Sequence, residues 1–440
     1  MIQGQNDRDD SRARKIISII ACLLVQLCVG ILYIWSIFKS QIHYYYDWPE
    51  KNADLVSSIM MFGFVSGNLI GGFLHDKTNP KLIATVGCAI FSGGILLTSL
   101  LTARTISLIY ITYGIIAGVG CGFVYGSILN CLQRWFPNRK GFATGLSVAA
   151  FGLSTVAFAP LSQFLLDKFK AADRPPNQVN GELIQISDVP KVFLILGLTF
   201  ALVSLVSCIF IFLPKARSAK GGAEASAKSK SEYKKNLPGL SPLQILKKSA
   251  FWCIFFSCFC INGLWNIMIP LIKPLGINRG LDVTWAALAV TFTGVANVLG
   301  RFGMGSLADK IGRAPTIVLN TVITLICAVA LIWAGVFVYL AAVVLAAFSY
   351  GGVAATFPTM TLDVGGPKYA GTNYGMALFA LGFSSVGFNY ASIALVEATG
   401  GMTASFILAA CAAAVPIVLM AVYSRTRKKS ANNFNQVSRA

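Results

Sequence analysis

The chain has 440 residues, of which 55% are hydrophobic and 12% charged, with a net charge of +19. A water-soluble domain carries about 25% charged residues, so this composition excludes a soluble enzyme or binding domain and fits an all-α membrane protein with many spans. The eleven cysteines fall in apolar stretches without metal-ligand spacing and read as small packing residues.

A basic tail, residues 1–15, precedes Ile16–Phe38, which is too long for the core of a cleavable leader and reads as a first span. Further windows without Asp, Glu, Lys or Arg are Leu55–His75, Leu82–Ala103, Thr105–Gln133, Gly141–Leu166, Val192–Leu213, Ser249–Ile272 and Val283–Gly300. Ala314–Leu362 is long enough for two spans with a turn near Gly335, and Tyr369–Val396 and Ala398–Ser424 follow. About 20 apolar residues cross the hydrocarbon core as a helix, so the chain predicts twelve transmembrane helices. They divide into a six-helix bundle over 16–213, a basic linker over 214–248, a second six-helix bundle over 249–424 and a tail over 425–440. An even number of spans puts both termini on one side. That side carries 26 of the 36 Lys and Arg residues, which predicts that the termini and the linker are cytoplasmic. The linker, rich in Lys, Ser and Ala, either lies against anionic lipid or serves only to fix topology. The opposite loop, Asp167–Lys191, suggests no function.

The two halves read as repeats. Gly141, Gly145, Gly152, Ser154, Val156 and Phe158 recur as Gly371, Gly375, Gly382, Ser384, Val386 and Phe388 at one constant offset, and GGFLHDKTNPK from Gly71 recurs as GSLADKIGR from Gly305. Parallel six-helix repeats build transporters that bind substrate between the halves at mid-membrane. Small-xxx-small patterns (Gly63, Gly67, Gly71; Gly114, Gly118, Gly122; Gly371, Gly375) suit close helix packing, either static or sliding.

One residue stands out against this background. Arg301 is the one Lys or Arg inside an expected span, where a cation costs ~2.5 kcal/mol or more. It either snorkels to the headgroups, about four residues or ~6 Å away, or grips a carboxylate with its planar fork. Asn297 shares its helix face. Asn262, in the glycine-flanked INGLWN, either lines a cavity or bonds across helices. No acid lies inside an expected span. The chain has no phosphate-binding loop, no Ser-His-Asp set and no metal spacing, and its only histidines are His43 and His75, so an enzyme reading lacks catalytic groups. No cofactor, metal or nucleic-acid partner is expected.

GSLADKIGR closely resembles the loop signature of the major facilitator superfamily; the first-half copy departs, with Asn79 in place of Gly and Pro80 inserted before Lys81. GILYIWSIF from Gly30, GFVYGSILNCLQRWFPNRKGFATG over Gly122–Gly145 and GTNYGMALFALGFSS over Gly371–Ser385 resemble the oxalate:formate antiporter family, itself similar to the monocarboxylate transporters. The resemblance runs through nearly the whole chain and implies a secondary carrier of a small carboxylate. It places the substrate arginine on Arg301, a neighbouring asparagine on Asn297, and pocket aromatics on Tyr33, Tyr125 and Tyr350. The second cation of the oxalate carrier falls on Leu381. One fixed charge leaves a dianion half-compensated, so lactate, pyruvate or formate is expected ahead of oxalate, by proton symport or anion exchange. Oxalate or dicarboxylate exchange with formate, and a non-transporting carboxylate sensor, are the alternatives. Where monocarboxylate transporters carry a span-eight aspartate this chain has Asn297, so a travelling proton would need the substrate itself or His43. Lys39 either matches an outer-mouth lysine of those transporters or snorkels. Asp76, Asp309 and Arg313 are expected to latch cytoplasmic helix ends. A monomer in a bacterial inner membrane completes the expectation.

Overall fold

The computed structural model describes residues 2–136, 140–171, 177–179, 182–214, 239–366 and 369–437. Among them twelve helices are long and apolar enough to cross a membrane: α1 Arg12–Tyr46, α2 Glu50–Leu74, α3 Pro80–Thr98, α4 Ile106–Trp135, α5 Gly145–Lys168, α6 Val189–Ile209, α7 Ser249–Met268, α8 Val283–Ile311, α9 Arg313–Ile332, α10 Val336–Gly365, α11 Gly371–Thr399 and α12 Thr403–Thr426. The protein is an all-helical membrane protein. A small hairpin, β1 Asn177–Val179 against β2 Glu182–Ile184, lies in the loop between α5 and α6. Its base folds back on α1, where Ser187 N donates to Gln41 Oε1 at 2.8 Å.

Helix ends follow local chemistry. Asn79 caps α3 by accepting from Lys81 N at 3.0 Å, with Pro80 in the first turn, so the Asn-Pro departure from the loop signature is a working N-cap. Asp282 accepts from the Thr284 and Trp285 amides to start α8, and Gly312, at φ 92°, stops it. Two ends differ from the sequence expectation in ways that matter for function. α2 begins at Glu50 rather than Leu55, because Lys39 of α1 meets the Glu50 and Asp54 carboxylates there. An acid therefore does lie within a span, which corrects the reading that none does. α8 continues past Gly300 to Ile311, ten residues beyond Arg301, or ~15 Å of helix. Of the basic linker, residues 215–238 lie outside the described residues. Its last part packs on the C-terminal spans, with Leu240 N donating to Gly365 O at 2.7 Å and Asn373 Nδ2 to Leu240 O at 3.1 Å.

Within the first six spans α2 crosses α4 at glycine-lined contacts, and within the last six α8 crosses α10 in the same way. The first six touch the last six along two seams. On one, Gly145, Gly152 and Thr155 of α5 meet Phe302, Val298 and Gly294 of α8. On the other, Leu69 and Phe62 of α2 meet Gly375 and Gly382 of α11, Asn389 Nδ2 donates to Ser58 Oγ, and Lys51 pairs with Glu397 at 2.8 Å. Lys273, just past α7, donates to Gln163 Oε1 of α5 at 2.8 Å. The two sets of six are thus in contact from one membrane face to the other.

Candidate functional site

Two interrupted helices and one close helix crossing build the cavity. α1 tightens to a 3₁₀ turn over Gly30–Ile34, which carries Tyr33, and α7 breaks at Asn262 before resuming at Gly263. The breaks correspond: Gly30 lies against Phe151 and Ser154 of α5, while Gly263 lies against Phe388 of α11 and the nearby Asn266 donates to Ser384 Oγ. In α8 and α10 a Cβ on Gly300 would run into the Phe348 carbonyl, and one on Gly351 into the Asn297 carbonyl. Only bare backbone fits that crossing, and the adjacent residues Arg301 and Tyr350 are thereby aimed into the space between the two sets of helices.

The cavity holds about 600 Å³ of space, part of it continuous with solvent, between Tyr33, Phe64, Tyr125 and Phe151 of the first six spans and Ile254, Cys258, Asn262, Arg301, Tyr350, Val353, Ala354, Phe357, Tyr374, Ala377, Leu378 and Leu381 of the last six. Arg301 is the one charged side chain among these lining residues. It is only 6% exposed, so it does not snorkel. Its Nη1 donates to the Val148 carbonyl of α5, a bond across the seam, and its Nε has no partner among the described residues. Gly152 lies beside this bond: a Cβ there would meet the guanidinium carbon at 3.7 Å, an ordinary contact, but would press on Val298 Cγ2 at 2.9 Å. The hydroxyls of Tyr33, Tyr125, Tyr350 and Tyr374 all lie within the electrostatic reach of Arg301. Tyr33 and Tyr350 hydrogen-bond to each other at 3.1 Å, and Trp265 stacks on Tyr350. Tyr125 is held edge-on by Phe64 and Phe151.

The expected site residues separate into groups. Arg301, Tyr33, Tyr125, Tyr350 and Asn262 share the cavity wall. Among the described residues Asn262 does not bond across helices: its Nδ2 donates to Cys258 O, one turn back, and its Oδ1 has no partner there. Asn297 is buried one turn from Arg301, does not line the cavity, and its Oδ1 is likewise unpartnered. Lys39 is neither at an open mouth nor snorkelling, being 1% exposed and paired to Asp54 and Glu50. Arg313 pairs with Asp363 and donates to Thr359 O, tying α9 to α10 within the last six spans. Asp309 is exposed, and the Asp76 side chain lies outside the described residues. His43 Nδ1 is engaged with Trp48 O at 2.6 Å. Tyr374 joins the cavity unpredicted: it stands two turns before Leu381 on α11, and that helical spacing of seven is the signal the sequence offers. Nine of the eleven cysteines are buried, Cys260 is half-buried and Cys411 exposed, and among the described residues no His, Cys, Asp and Glu group could hold a metal ion.

Twelve spans in two contacting sets, with a buried arginine facing a shared cavity, define a polytopic membrane carrier. Residues 17–389 match the family model of the Major Facilitator Superfamily, and the chain belongs to that superfamily. It is 24% identical over 413 residues to the oxalate:formate antiporter of Oxalobacter formigenes, covering 91% of this chain and 89% of that protein. It is 24% identical over 375 residues to the uncharacterized MFS-type transporter YhjX of Escherichia coli K12 (84% and 85%), and 24% identical over 416 residues to the apicoplast pyruvate carrier 1 of Toxoplasma gondii (83% and 74%). Among solved structures, a D-xylose-proton symporter superposes with a TM-score of 0.71 at 12% identity, over 92% of this chain and 97% of that one. FucP in its outward conformation gives 0.62 at 15%, over 93% and 99%.

Proposed function

We propose that this carrier moves a small monocarboxylate of the lactate, pyruvate or formate class across a bacterial inner membrane, by alternating access around Arg301. Both termini face the cytoplasm in this reading and the working unit is a monomer. The observation that carries it is the charge inventory of the cavity: one buried arginine, several tyrosine hydroxyls, and an apolar wall that includes Leu381. A guanidinium with its Nε free to donate matches one carboxylate, and the apolar wall suits a short hydrocarbon tail. The pyruvate carrier among the relatives supports the same class.

A dicarboxylate exchanger is the second reading, supported by the oxalate:formate antiporter among the relatives. It would leave about one charge of the substrate uncompensated in a low-dielectric cavity. Uptake of labelled lactate, pyruvate, formate and oxalate into liposomes tests both. Arg301→Lys and Arg301→Ala, checked for folding, are expected to abolish uptake of the preferred acid. Normal transport by either variant sinks the proposal, oxalate as the preferred substrate establishes the second reading, and binding without counterflow would mark a sensor.

A further inference from the structure

The polar groups of the cavity find partners across the seam between the first six and the last six spans. Arg301 of α8 donates to the Val148 carbonyl of α5, and Tyr33 of α1 bonds to Tyr350 of α10. Both bonds exist only while the two sets of helices are together, and the chain itself supplies both sides of each. A buried cation is tolerated when the fold offers it an acceptor, and the cost of enclosing it grows steeply with each further unpaired charge. Here the cavity wall carries one cation, and Leu381 contributes none.

We infer that closure of this carrier does not depend on a bound anion, so that it can reorient unloaded and sustain net movement of its substrate instead of being confined to one-for-one exchange. This rests on the monocarboxylate reading above and decides between the two coupling modes that reading leaves open. The Val148 carbonyl takes Nη1 of the guanidinium and leaves Nε free, so a substrate carboxylate adds to that bond when loaded, and the carbonyl alone anchors the cation in the closed arrangement when unloaded.

The test compares two uptake modes in liposomes holding the full-length protein: net uptake of labelled monocarboxylate into vesicles without internal substrate, under an inward proton gradient, and counterflow against internal unlabelled substrate. Wild type is expected to show net uptake within about tenfold of counterflow. Leu381→Lys adds a second cation to a cavity with no acid among its lining residues, and is expected to lower net uptake by at least about tenfold while counterflow persists. Leu381→Met, which fills the same wall without a charge, is expected to leave the ratio unchanged. Counterflow without net uptake in wild type overturns the inference and leaves the proposed function standing. Equal loss of both modes in Leu381→Lys, or a ratio that falls as far in Leu381→Met, also overturns it. The absence of both modes in wild type, for every acid tried, overturns the proposed function and this inference with it.

Discussion

The Nζ of Lys39 lies 2.7 Å from Oδ1 of Asp54 and 2.8 Å from Oε1 of Glu50, so a single buried ammonium fastens the adjoining ends of the first two spans. The lysine side chain is 2% exposed and that of Asp54 15%, whereas Glu50 is half exposed and screened by water. Breaking a buried pair by removing one partner strands the other charge, at a cost of ~3–5 kcal/mol. Lys39→Met is therefore expected to lower the melting temperature of the purified carrier markedly, and adding Asp54→Leu to recover most of the loss. A Lys39→Met protein that melts like wild type would show the pair to be dispensable. The double variant should transport with an unchanged half-saturation concentration, which it would not do if Lys39 captured substrate at the outer mouth.

The crossing of α8 and α10 makes a sharper structural prediction. A methyl group on Gly351 would overlap the Asn297 carbonyl, and no flexible side chain is there to yield. Gly351→Ala is expected to destabilise by ~1–3 kcal/mol, typical of overpacking. Because Arg301 and Tyr350 flank the crossing, substrate affinity should fall with stability. By contrast Gly371→Ala, where a Cβ meets nothing within 4 Å, should change neither. Thermal melting with and without saturating substrate checks both.

These two cases show where the sequence could be read and where it could not. The spans were legible because a hydrocarbon solvent demands unbroken apolar helices, so hydropathy windows and loop charge suffice. Arg301 was legible for the same reason inverted, as a cation in a place that penalises it. The Asp54 pairing was hidden because a charge-free window cannot contain an acid whose neutralising lysine lies fifteen residues earlier on another helix. The Val148 contact was invisible because a backbone carbonyl has no sequence signature. Gly300 and Gly351 were passed over because the glycines singled out as close-packing were others; of those, Gly67 and Gly118 do form the matching crossing of α2 and α4.

Tyr125 and Tyr374 differ from Tyr33 and Tyr350 in how their hydroxyls are used. The latter two bond each other, whereas the former two line the cavity without a hydrogen bond to another described residue. Their hydroxyls are the donors available to an anion held by Arg301. Losing a hydrogen bond to a charged group costs ~1.5–3 kcal/mol, or roughly tenfold to a hundredfold in affinity. Tyr125→Phe and Tyr374→Phe are expected to weaken substrate binding by that factor, and Tyr33→Phe by less. Calorimetric titration of the purified protein with the preferred acid measures each. Tyr33→Phe weaker than the other two would mean that the bonded pair opens to receive substrate.

Lys273 is expected to give the seam between α5 and α7 a pH dependence. It sits just beyond α7, 3% exposed, with its Nζ on Gln163 Oε1, near Asp167 and Lys170. Burial pushes its ammonium down to about 8; Asp167 opposes that shift and Lys170 adds to it. A lysine in the unfolded chain titrates near ~10.4. The folded value is the depressed one, so between these two values the unfolded chain holds more protons. Stability therefore rises with pH from about 8 to ~10.4, and this increment is lost again as pH falls from ~10.4 to about 8. Opening the seam to water should follow the same sign, with the closed arrangement gaining as Lys273 loses its proton. Lys273→Met removes the titrating group at similar length. Relative to wild type it should be most stable below pH 8, and that advantage should shrink steadily toward ~10.4. Melting curves of the two proteins across that range decide the point. Profiles that stay parallel would show that Lys273 keeps its proton throughout, held by Asp167 more firmly than burial opposes it.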